Sequence, residues 1–374
     1  MTKQNFLTGL CAAALCVILL LNGEQLSEGI QKGLNLCSFS VIPALFPFMA
    51  LSVFICKSRA ADFFAALLKP VSRFLKIPEN CAGVLVAAIF GGYPAAAKCI
   101  SDCVLEGKLD QKTGAKMLCY SVNAGPSFLI GAVGTGVFGS LKIGFLLFMA
   151  QFLSSFIIAA AISAFSKKPE NFYPAADFPR KSNAACAVES IISAAESCFR
   201  MCAFIVIACG VMEIVFEKPY FSDFFPPFGK AFFSGFFEVT SGVFSCGKIG
   251  GFSGIIAAGA IASFSGISVI LQVAAVTEES RIPLLPFVVS RLFHAGITAG
   301  LLGIFLLFFG GEVSAFSVKG GIYEGVLSAS APAAVSLLCM ASLFLLSVVP
   351  PKSEKEPLFS RIWNKFNTFW HSQT

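Results

Sequence analysis

The amino-acid sequence predicts an all-α polytopic membrane protein with about 8–10 membrane segments in two repeats that contain broken or re-entrant helices. Hydrophobic residues make up 56% of the 374 residues and charged residues 13%, compared with about 25% charged residues in soluble domains. Apolar runs long enough to cross about 30 Å of hydrocarbon recur along the whole chain. Several of these runs are interrupted by glycine and proline, which break helices.

Composition and motifs exclude several classes of function. The net charge of +6 comes from short loops and the C-terminal tail, a pattern that reports membrane orientation and not nucleic-acid binding. The 14 cysteines lie mostly within apolar segments, no pair has CxxC spacing, and the chain has two histidines, so we expect no metal and no cofactor. The sequence lacks GxxxxGK(S/T), GxSxG and HExxH motifs, so we expect neither a primary pump nor an enzyme.

The first half predicts five apolar segments and one amphipathic stretch. Residues 6–21 predict an uncleaved first helix, and residues 37–56 predict a span kinked by Pro43 and Pro47. From 57 to 76, five basic residues alternate with phenylalanine and leucine, which is typical of a helix lying in the cytoplasmic interface. Further apolar segments follow at 81–97, 117–138 and 143–165.

The basic residues around these segments raise a question of parity. The stretch at 57–76 and the polar linker that begins at 166 are both basic, so both are expected on the cytoplasmic side. Three full crossings between them would place the linker on the opposite side. One segment is therefore expected to be re-entrant. The interruption FGGYP makes 81–97 the candidate, because irregular backbone at membrane depth persists only where protein or water surrounds it.

An internal duplication is indicated by the second half, which repeats this layout. Its apolar segments lie near 199–216, 232–247, 250–271, 284–309 and 326–350. Placing FGGYPAAAKC over FSGISVILQV gives an ordered series of interruption, polar side chain, polar turn, and helix with a polar-Ala-Gly step. The pairs in this alignment are Gly92 with Gly266, Lys98 with Gln272, and Asn123 with His294.

We expect the two repeats to be inverted. The counterpart of the basic stretch, at 217–230, holds two acids and two lysines and so has no positive-inside signal. The basic tail after 350 is nevertheless expected to be cytoplasmic, but strict inversion with equal numbers of segments would place it on the other side. The short extra segment at 232–247 is a candidate for restoring the parity, and the sequence leaves this open. The chain then divides into an N-terminal membrane anchor helix (1–34), a first repeat (35–165), a cytoplasmic linker (166–198), a second repeat (199–350) and a cytoplasmic amphipathic tail (351–374).

The interruption at 90–98 predicts an anion site. Glycines and a proline free a helix N-terminus, whose unpaired N–H groups and positive dipole end favour an anion, and Lys98 adds a full positive charge. Paired broken helices that meet near the midplane are the recurring architecture of secondary transporters. The alternative is that the segment ends at Lys98, which then extends to the headgroups beside Asp102 and Glu106.

Further polar positions within apolar segments are candidates. Asn123 and Ser127 in SVNAGPSF line a pathway or, alternatively, form hydrogen bonds between helices. Glu238 stands among phenylalanines as the candidate group for a coupling proton or sodium ion, or as an interfacial helix end. Arg291 and His294 share one helix face, toward an anionic substrate or in structural roles. The candidate substrate-binding residues are Gly91, Gly92, Tyr93, Pro94, Lys98, Asn123, Ser127, Gly266, Ser268, Gln272, Arg291 and His294.

These motifs resemble the YlbJ (SpoVV) family of sporulation integral membrane proteins, within the wider nucleoside-recognition or Gate domain group. The resemblance covers most of the chain, from about 35 to 350. It implies a protein of endospore-forming bacteria, built from two Gate-like repeats in the outer forespore membrane, that carries dipicolinic acid toward the developing spore. The stretches that carry it are GGYPAAAK (91–98), its continuation to 139, FFEVTSG (236–242), FSGISVILQV (264–273) and SRLFHAG (290–296).

The function expected from these features is that of a secondary carrier for a small aromatic dicarboxylate. The cation and helix N-terminus at 91–98 suit the carboxylates of dipicolinate, and the ring of Tyr93 suits stacking on its pyridine. Two alternatives stay open: a nucleoside or metal-ion permease of the Gate group, and a non-transporting scaffold. The expected partners are the anionic substrate, the lipid bilayer, and a companion sporulation protein or a second copy of the chain, but no nucleic acid.

Overall fold

The computed structural model describes residues 3–58, 60–78, 81, 83–166, 182–217 and 225–309. Within these ranges every regular element is a helix, which confirms the all-α prediction. Five spans are long and apolar enough to cross a membrane, which makes the chain an integral membrane protein: Gly23–Lys57, Leu141–Phe165, Asn183–Phe216, Gly251–Thr277 and Leu285–Phe309. The predicted segment at 326–350, the tail, and the linker between 167 and 181 lie outside the described residues.

Fifteen α-helices and two π-helical stretches make up the described chain. The first half contains α1 (Lys3–Leu21), α2 (Gly23–Leu36), a π-helical stretch (Cys37–Val41), α3 (Ile42–Lys57), α4 (Ala60–Leu67), α5 (Lys69–Phe74), α6 (Gly83–Phe90), α7 (Gly92–Leu105), α8 (Gln111–Ser121), a π-helix (Ser127–Val137) and α9 (Leu141–Phe165). The second half contains α10 (Asn183–Glu217), α11 (Pro227–Phe237), α12 (Val239–Ile249), α13 (Gly251–Phe264), α14 (Gly266–Thr277) and α15 (Leu285–Phe309).

Two boundaries differ from the sequence-based expectation. Residues 23–34 do not belong to the first helix, because α2 starts a separate span that continues through α3. This amphipathic helix packs closely on α10, where a Cβ at Gly29 would lie 2.5 Å from the Cys209 carbonyl oxygen. Residues 183–198, expected in the linker, form the first half of α10. Glycine in α2 and small residues in α10 allow the close contact between these two helices, and the hydropathy of either segment alone does not reveal it.

The re-entrant segment is confirmed as a hairpin of α6 and α7, called the first hairpin (83–105). At its base, the Cys81 thiol lies 3.9 Å from the Lys108 carbonyl oxygen. Halfway up, Cys56 of α3 donates to the Gly83 carbonyl oxygen at 3.1 Å and is also hydrogen-bonded to Cys99. Both arms therefore reach the same level of α3, and the chain reverses at its tip, Phe90–Gly92.

A second hairpin (227–249) is formed by α11 and α12, which are joined by the single extended residue Glu238. Its arms pack so closely that a Cβ at Gly242 would lie 3.1 Å from the Ala231 carbonyl oxygen. Because the two ends of each hairpin lie on one side of the membrane, neither hairpin counts as a crossing. The short segment at 232–247 therefore forms a hairpin, and the parity of the second half stays a prediction because the segment at 326–350 lies outside the described residues.

Each hairpin is followed by an interrupted crossing. In the first, α8 ends at Ser121 and the π-helix begins at Ser127, with residues 122–125 between them outside any helix. In the second, α13 ends at Phe264 and α14 begins at Gly266 after a left-handed Ser265 (φ 78°). An unbroken helix, α9 or α15, completes each repeat. The order of hairpin, interrupted helix and continuous helix is therefore the same in both halves.

The two repeats are inverted with respect to each other. Helices α7 and α14 run parallel, since Tyr93 Oη donates to the Ala262 carbonyl oxygen at 2.6 Å and Ser101 Oγ donates to the Val276 carbonyl oxygen at 3.0 Å. The C-terminus of α14 thus lies at the base of the first hairpin, beside the basic α4–α5 stretch that marks the cytoplasmic side. The second hairpin precedes α13 and enters from the opposite side.

The alignment of the repeats proposed from sequence is wrong in its register. The tip of the first hairpin corresponds to the tip at Glu238, and the interruption Gly125–Ser127 corresponds to Gly266–Ser268. His294 lies in the continuous helix α15. Gly92 (φ 73°) and Gly266 (φ 71°) look alike because both begin a half-helix with a backbone conformation that only glycine adopts readily.

Mild oxidation is expected to link Cys81 to Cys103, because these thiols are hydrogen-bonded at the base of the first hairpin. A straight crossing from 83 to 105 would separate them by about 33 Å, and a disulfide requires Cα atoms within about 7 Å. The measurement is peptide mass spectrometry after copper–phenanthroline treatment of membranes, with Cys103→Ser as control. Oxidation of other cysteines without this cross-link would contradict the hairpin.

Candidate functional site

The four interruptions meet at one junction in the interior of the protein, formed by the two hairpin tips and the two interrupted helices. At the first pair, a Cβ at Gly125 would lie 3.3 Å from the Phe90 carbonyl oxygen and 3.4 Å from the Gly92 nitrogen. At the second pair, a Cβ at Gly266 would lie 2.8 Å from the Gly235 carbonyl oxygen and 3.3 Å from the Val239 nitrogen. Each hairpin tip thus touches the interruption of its own repeat.

Tyr93 joins the two repeats at this junction. Its hydroxyl donates to the Ala262 carbonyl oxygen at 2.6 Å and is also hydrogen-bonded to Ser265. Arg291 and Glu238 are close enough to interact electrostatically with it. The side chain comes from the first turn of α7 and ends on the second interruption, so the predicted site residues Tyr93, Arg291 and Glu238 are brought together.

Two half-helix N-termini at the junction have no side-chain cap. Helix α7 starts at Gly92 and helix α14 starts at Gly266, and no side chain of the preceding residue accepts a hydrogen bond from the first-turn N–H groups. The two helices are parallel and adjacent, since Tyr93 binds the Ala262 carbonyl group just before α14 and Ser101 binds that of Val276 near its end. Their positive dipole ends and free N–H groups therefore face the same region, which favours negative charge there.

Unpaired hydroxyl groups flank these ends. Ser268 lies in the first turn of α14 and Ser127 begins the π-helix, each two residues after an interruption glycine. Both Oγ atoms are shielded from solvent and have no hydrogen-bond partner among the described residues. Leaving such a group unpaired costs about 1–3 kcal/mol. The two serines occupy equivalent positions in the inverted repeats and are the available polar contacts for a ligand at the junction.

Glu238 is the N-cap of α12. Its Oε1 accepts from the Thr240 backbone N–H at 2.9 Å, and its Oε2 accepts from the Ser241 backbone N–H at 2.7 Å. The side chain is 1% exposed. The carboxylate thus supplies the anion that the N-terminus of α12 favours. The sequence alternative of a helix end is met in part: Glu238 does sit at a helix end, but in the interior instead of the membrane interface.

Arg291 is a fully buried cation that binds the C-terminal end of α8. Its Nη1 donates to the Val122 carbonyl oxygen at 2.7 Å, its Nη2 donates to the Cys119 carbonyl oxygen, and its guanidinium lies 4.9 Å from the centre of the Phe287 ring. Carbonyl groups freed by the interruption carry the negative end of the helix dipole. Nε keeps no partner among the described residues.

His294 and Asn123 belong to a polar chain that crosses to α9. His294 Nε2 lies 3.2 Å from Ser155 Oγ and 3.3 Å from the Gln151 carbonyl oxygen. Ser155 donates to Asn123 Oδ1 at 3.0 Å, and Asn123 Nδ2 donates to the Tyr120 carbonyl oxygen at 2.8 Å. Sequence reasoning missed Gln151 and Ser155, although the polar pattern QFLSS within an otherwise apolar helix is a usable signal.

Lys98, Gln272, Gly91 and Pro94 take different positions relative to the junction. Lys98 Nζ forms an ion pair with Asp102 at 2.9 Å, and its side chain is 38% exposed. It lies six residues past Gly92, about 9 Å along α7. Gln272 occupies the same distance along α14 and is buried. Gly91 lies at the tip of the first hairpin and Pro94 in the first turn of α7, and both are buried.

A small cleft lies between α8, the C-terminal end of α9 and the chain that follows α5. Lys76, Thr113, Lys116 and Tyr120 contribute to its walls, and the last three share one face of α8. Lys76 has a left-handed backbone (φ 56°) and donates to the last carbonyl groups of α9 at 2.6 and 2.7 Å. Tyr120 in its wall lies three residues before Asn123. Lys76 belongs to the predicted basic interfacial stretch, whereas no motif singled out Lys116.

In the described part of the chain, no group of three or more histidine, cysteine or acidic side chains is arranged to hold a metal ion. No protein-family model matches the chain, and no solved structure matches it. The chain is similar to the sporulation integral membrane protein YlbJ of Bacillus subtilis (strain 168). The two are 26% identical over 144 residues, which is 38% of this chain and 35% of YlbJ.

The similarity supports a YlbJ-like family for this chain. The chain spans about a third of the length of the curated relative it matches, since the matched part is 35% of YlbJ. The likeness to YlbJ therefore agrees with the family resemblance carried by the motifs at the first hairpin. The geometry of the junction is independent of it, because it rests on contacts within this chain.

Gly266→Ala is expected to destabilise the folded protein by about 1–3 kcal/mol, because alanine is strained at positive φ and its Cβ meets the Gly235 carbonyl oxygen. Gly296→Ala is the matched control, since a Cβ there meets nothing within 4 Å and alanine favours the helix. Thermal unfolding of both variants in detergent checks this. Equal melting temperatures would contradict the close contact at the second interruption.

Arg291→Met is expected to lower stability by about 1–3 kcal/mol, because the buried Val122 carbonyl group loses its donor. Arg281→Met is the control, as Arg281 is exposed in the loop between α14 and α15. The thermal unfolding of each variant is compared with that of the unmodified chain. A loss of stability in Arg281→Met equal to that in Arg291→Met would show that the guanidinium does not stabilise the end of α8.

Proposed function

We propose that the protein is a secondary carrier for a small aromatic dicarboxylate, with dipicolinic acid as the substrate. The observation that carries this proposal is the pair of adjacent, uncapped half-helix N-termini at Gly92 and Gly266. Half-helix N-termini that point at anionic groups near the midplane are the substrate sites of several transporters built from inverted repeats. Two such ends side by side suit a ligand with two carboxylates.

The chemistry of the junction supports an anion more than a cation or a neutral ligand. The carbonyl ends that would attract a cation at the first interruption already accept from Arg291. Ser127 and Ser268 supply hydroxyl donors, and Tyr93 supplies an aromatic ring between the repeats. A nucleoside would leave the positive helix ends without a counter-charge, and ferrous iron would be repelled by Arg291.

The inverted architecture supports transport over a scaffold role. Hairpins that enter from opposite sides and meet interrupted helices give two related half-sites around one centre. Such repeats allow one half to move against the other and to expose the centre to each side in turn. A scaffold has no need of helix interruptions at membrane depth, because other protein groups must bind the backbone N–H and carbonyl groups that each interruption leaves unpaired.

Glu238 is the proposed coupling group. Both carboxylate oxygens accept backbone N–H groups of α12, so a proton on this side chain would remove the anionic cap and loosen the tip of the second hairpin. The protein would in this way couple the protonation of one side chain to a movement of one hairpin. The similarity to YlbJ supports sporulation as the setting, with the outer forespore membrane as the proposed location.

Saturable uptake of labelled dipicolinate into proteoliposomes is the expected result, measured under an imposed proton or sodium gradient with uridine as a competitor. Uridine should leave uptake intact because it carries no carboxylate. Lys98→Ala is measured beside the unmodified chain; the ion pair with Asp102 predicts a smaller loss of uptake than a change at the junction. Absence of uptake by well-inserted protein under either gradient would contradict the carrier proposal and favour the scaffold.

Ser268→Ala is expected to raise the KM for dipicolinate about tenfold or more, because it removes a hydroxyl donor to a carboxylate. Its folding should be unchanged, since the hydroxyl has no partner among the described residues. Ser72→Ala is the matched control: Ser72 Oγ in α5 is also shielded and unpaired in the described chain but lies away from the junction. The same KM in both variants would place the substrate elsewhere.

A further inference from the structure

An ion pair lies on the outward face of α10 near the centre of the membrane. Arg200 Nη2 is 2.6 Å from Glu196 Oε1, and the two side chains are 43% and 36% exposed. Neither has another polar partner in the described part of the chain. Charged side chains at this depth normally face the bundle interior or a water-filled cavity. Their outward position therefore calls for a partner that covers them.

The depth of the pair follows from two other ion pairs on α10. Glu189 pairs with Lys57 at 2.6 Å near the cytoplasmic end, and Glu213 pairs with Lys32 at 2.8 Å near the opposite end. These levels are 24 residues apart, about 36 Å along the helix, which matches the thickness of the hydrocarbon core with its borders. Arg200 lies about 16 Å from one level and about 20 Å from the other.

Apolar side chains lie on the same face of α10 as the ion pair. Ile207 is 65% exposed and lies seven residues past Arg200, so with Glu196 and Arg200 it forms one stripe along α10, called the α10 stripe. The small side chain of Ala203 lies on the same stripe, next to Arg200, and is exposed. An apolar stripe with a small residue and a central charge pair is typical of a helix–helix interface in a membrane.

We propose that the α10 stripe is the interface of a symmetric homodimer, in which Arg200 of each copy pairs with Glu196 of the other. A second copy of the chain is chosen as the partner because its Arg200 and Glu196 complement the same two charges of the first copy. A two-fold axis along the membrane normal keeps both α10 helices parallel and brings the same patch of each copy together. One acid and one base, four residues apart on the patch, complement themselves across such an axis. The apolar stretch at 326–350 has no charged residue to offer instead.

The test uses the full chain in lipid nanodiscs, with the oligomeric state read by native mass spectrometry. The unmodified chain is expected to be a dimer. Arg200→Glu and Glu196→Arg each place like charges at the interface and are expected to give monomers. Arg281→Glu, an equal charge reversal in an exposed loop, should remain a dimer. A monomeric unmodified chain, or dimers from both single reversals, would overturn the proposal.

Co-expression keeps the test decisive if either reversal fails to accumulate alone. Chains carrying Arg200→Glu and chains carrying Glu196→Arg, with different tags, are expected to form a mixed dimer, because each now offers the charge that the other needs. The chain carrying both reversals should dimerise with itself. Failure of the mixed pair to associate, while the chains are present in the membrane, counts against the interface. None of these outcomes depends on transport.

Discussion

Backbone polar groups at membrane depth have no water to bind, and this constraint governs the organisation of the protein. Four interruptions expose N–H and carbonyl groups in the interior, and none can be stable unless another part of the chain surrounds it. The inverted repeats solve this by bringing the interruptions together: each hairpin tip contacts the interrupted helix of its own repeat, and Tyr93 joins the two halves. Glycine at Gly125 and Gly266 permits the backbone approach that these contacts need.

The chain neutralises two of the exposed helix ends with its own charges. The carboxylate of Glu238 caps the N-terminus of α12, and the guanidinium of Arg291 binds the C-terminal carbonyl groups of α8. These side chains are buried at opposite kinds of helix end, each with the sign that the helix dipole favours. The N-termini of α7, α14 and the π-helix that begins at Ser127 have no side-chain cap. The asymmetry between satisfied and unsatisfied ends is the physical basis of the proposed anion site.

Several site residues were predictable from sequence because their signal is local. An interruption such as FGGYP or a carboxylate among phenylalanines stands out in an apolar run, and Gly92, Tyr93 and Glu238 do lie at the junction. Lys98 illustrates the opposite case. Its distance from the glycine is local information, but its ion pair with Asp102 depends on how the side chains turn on the folded helix. The polar chain through Gln151 and Ser155 was missed because its members come from three separate segments.

The sequence by itself determined the membrane class, the all-α architecture, the duplication and the presence of interruptions, because hydrophobicity and helix breaking act over a few neighbouring residues. Only the tertiary structure decided which interruptions are hairpin tips and which are broken crossings. It also corrected the register of the repeats, in which Glu238 and not Gly266 corresponds to the first tip. The physical reason is that a chain reversal and a broken crossing both require the same local backbone conformation, which glycine adopts readily. Contacts between distant segments determine which of the two the chain adopts.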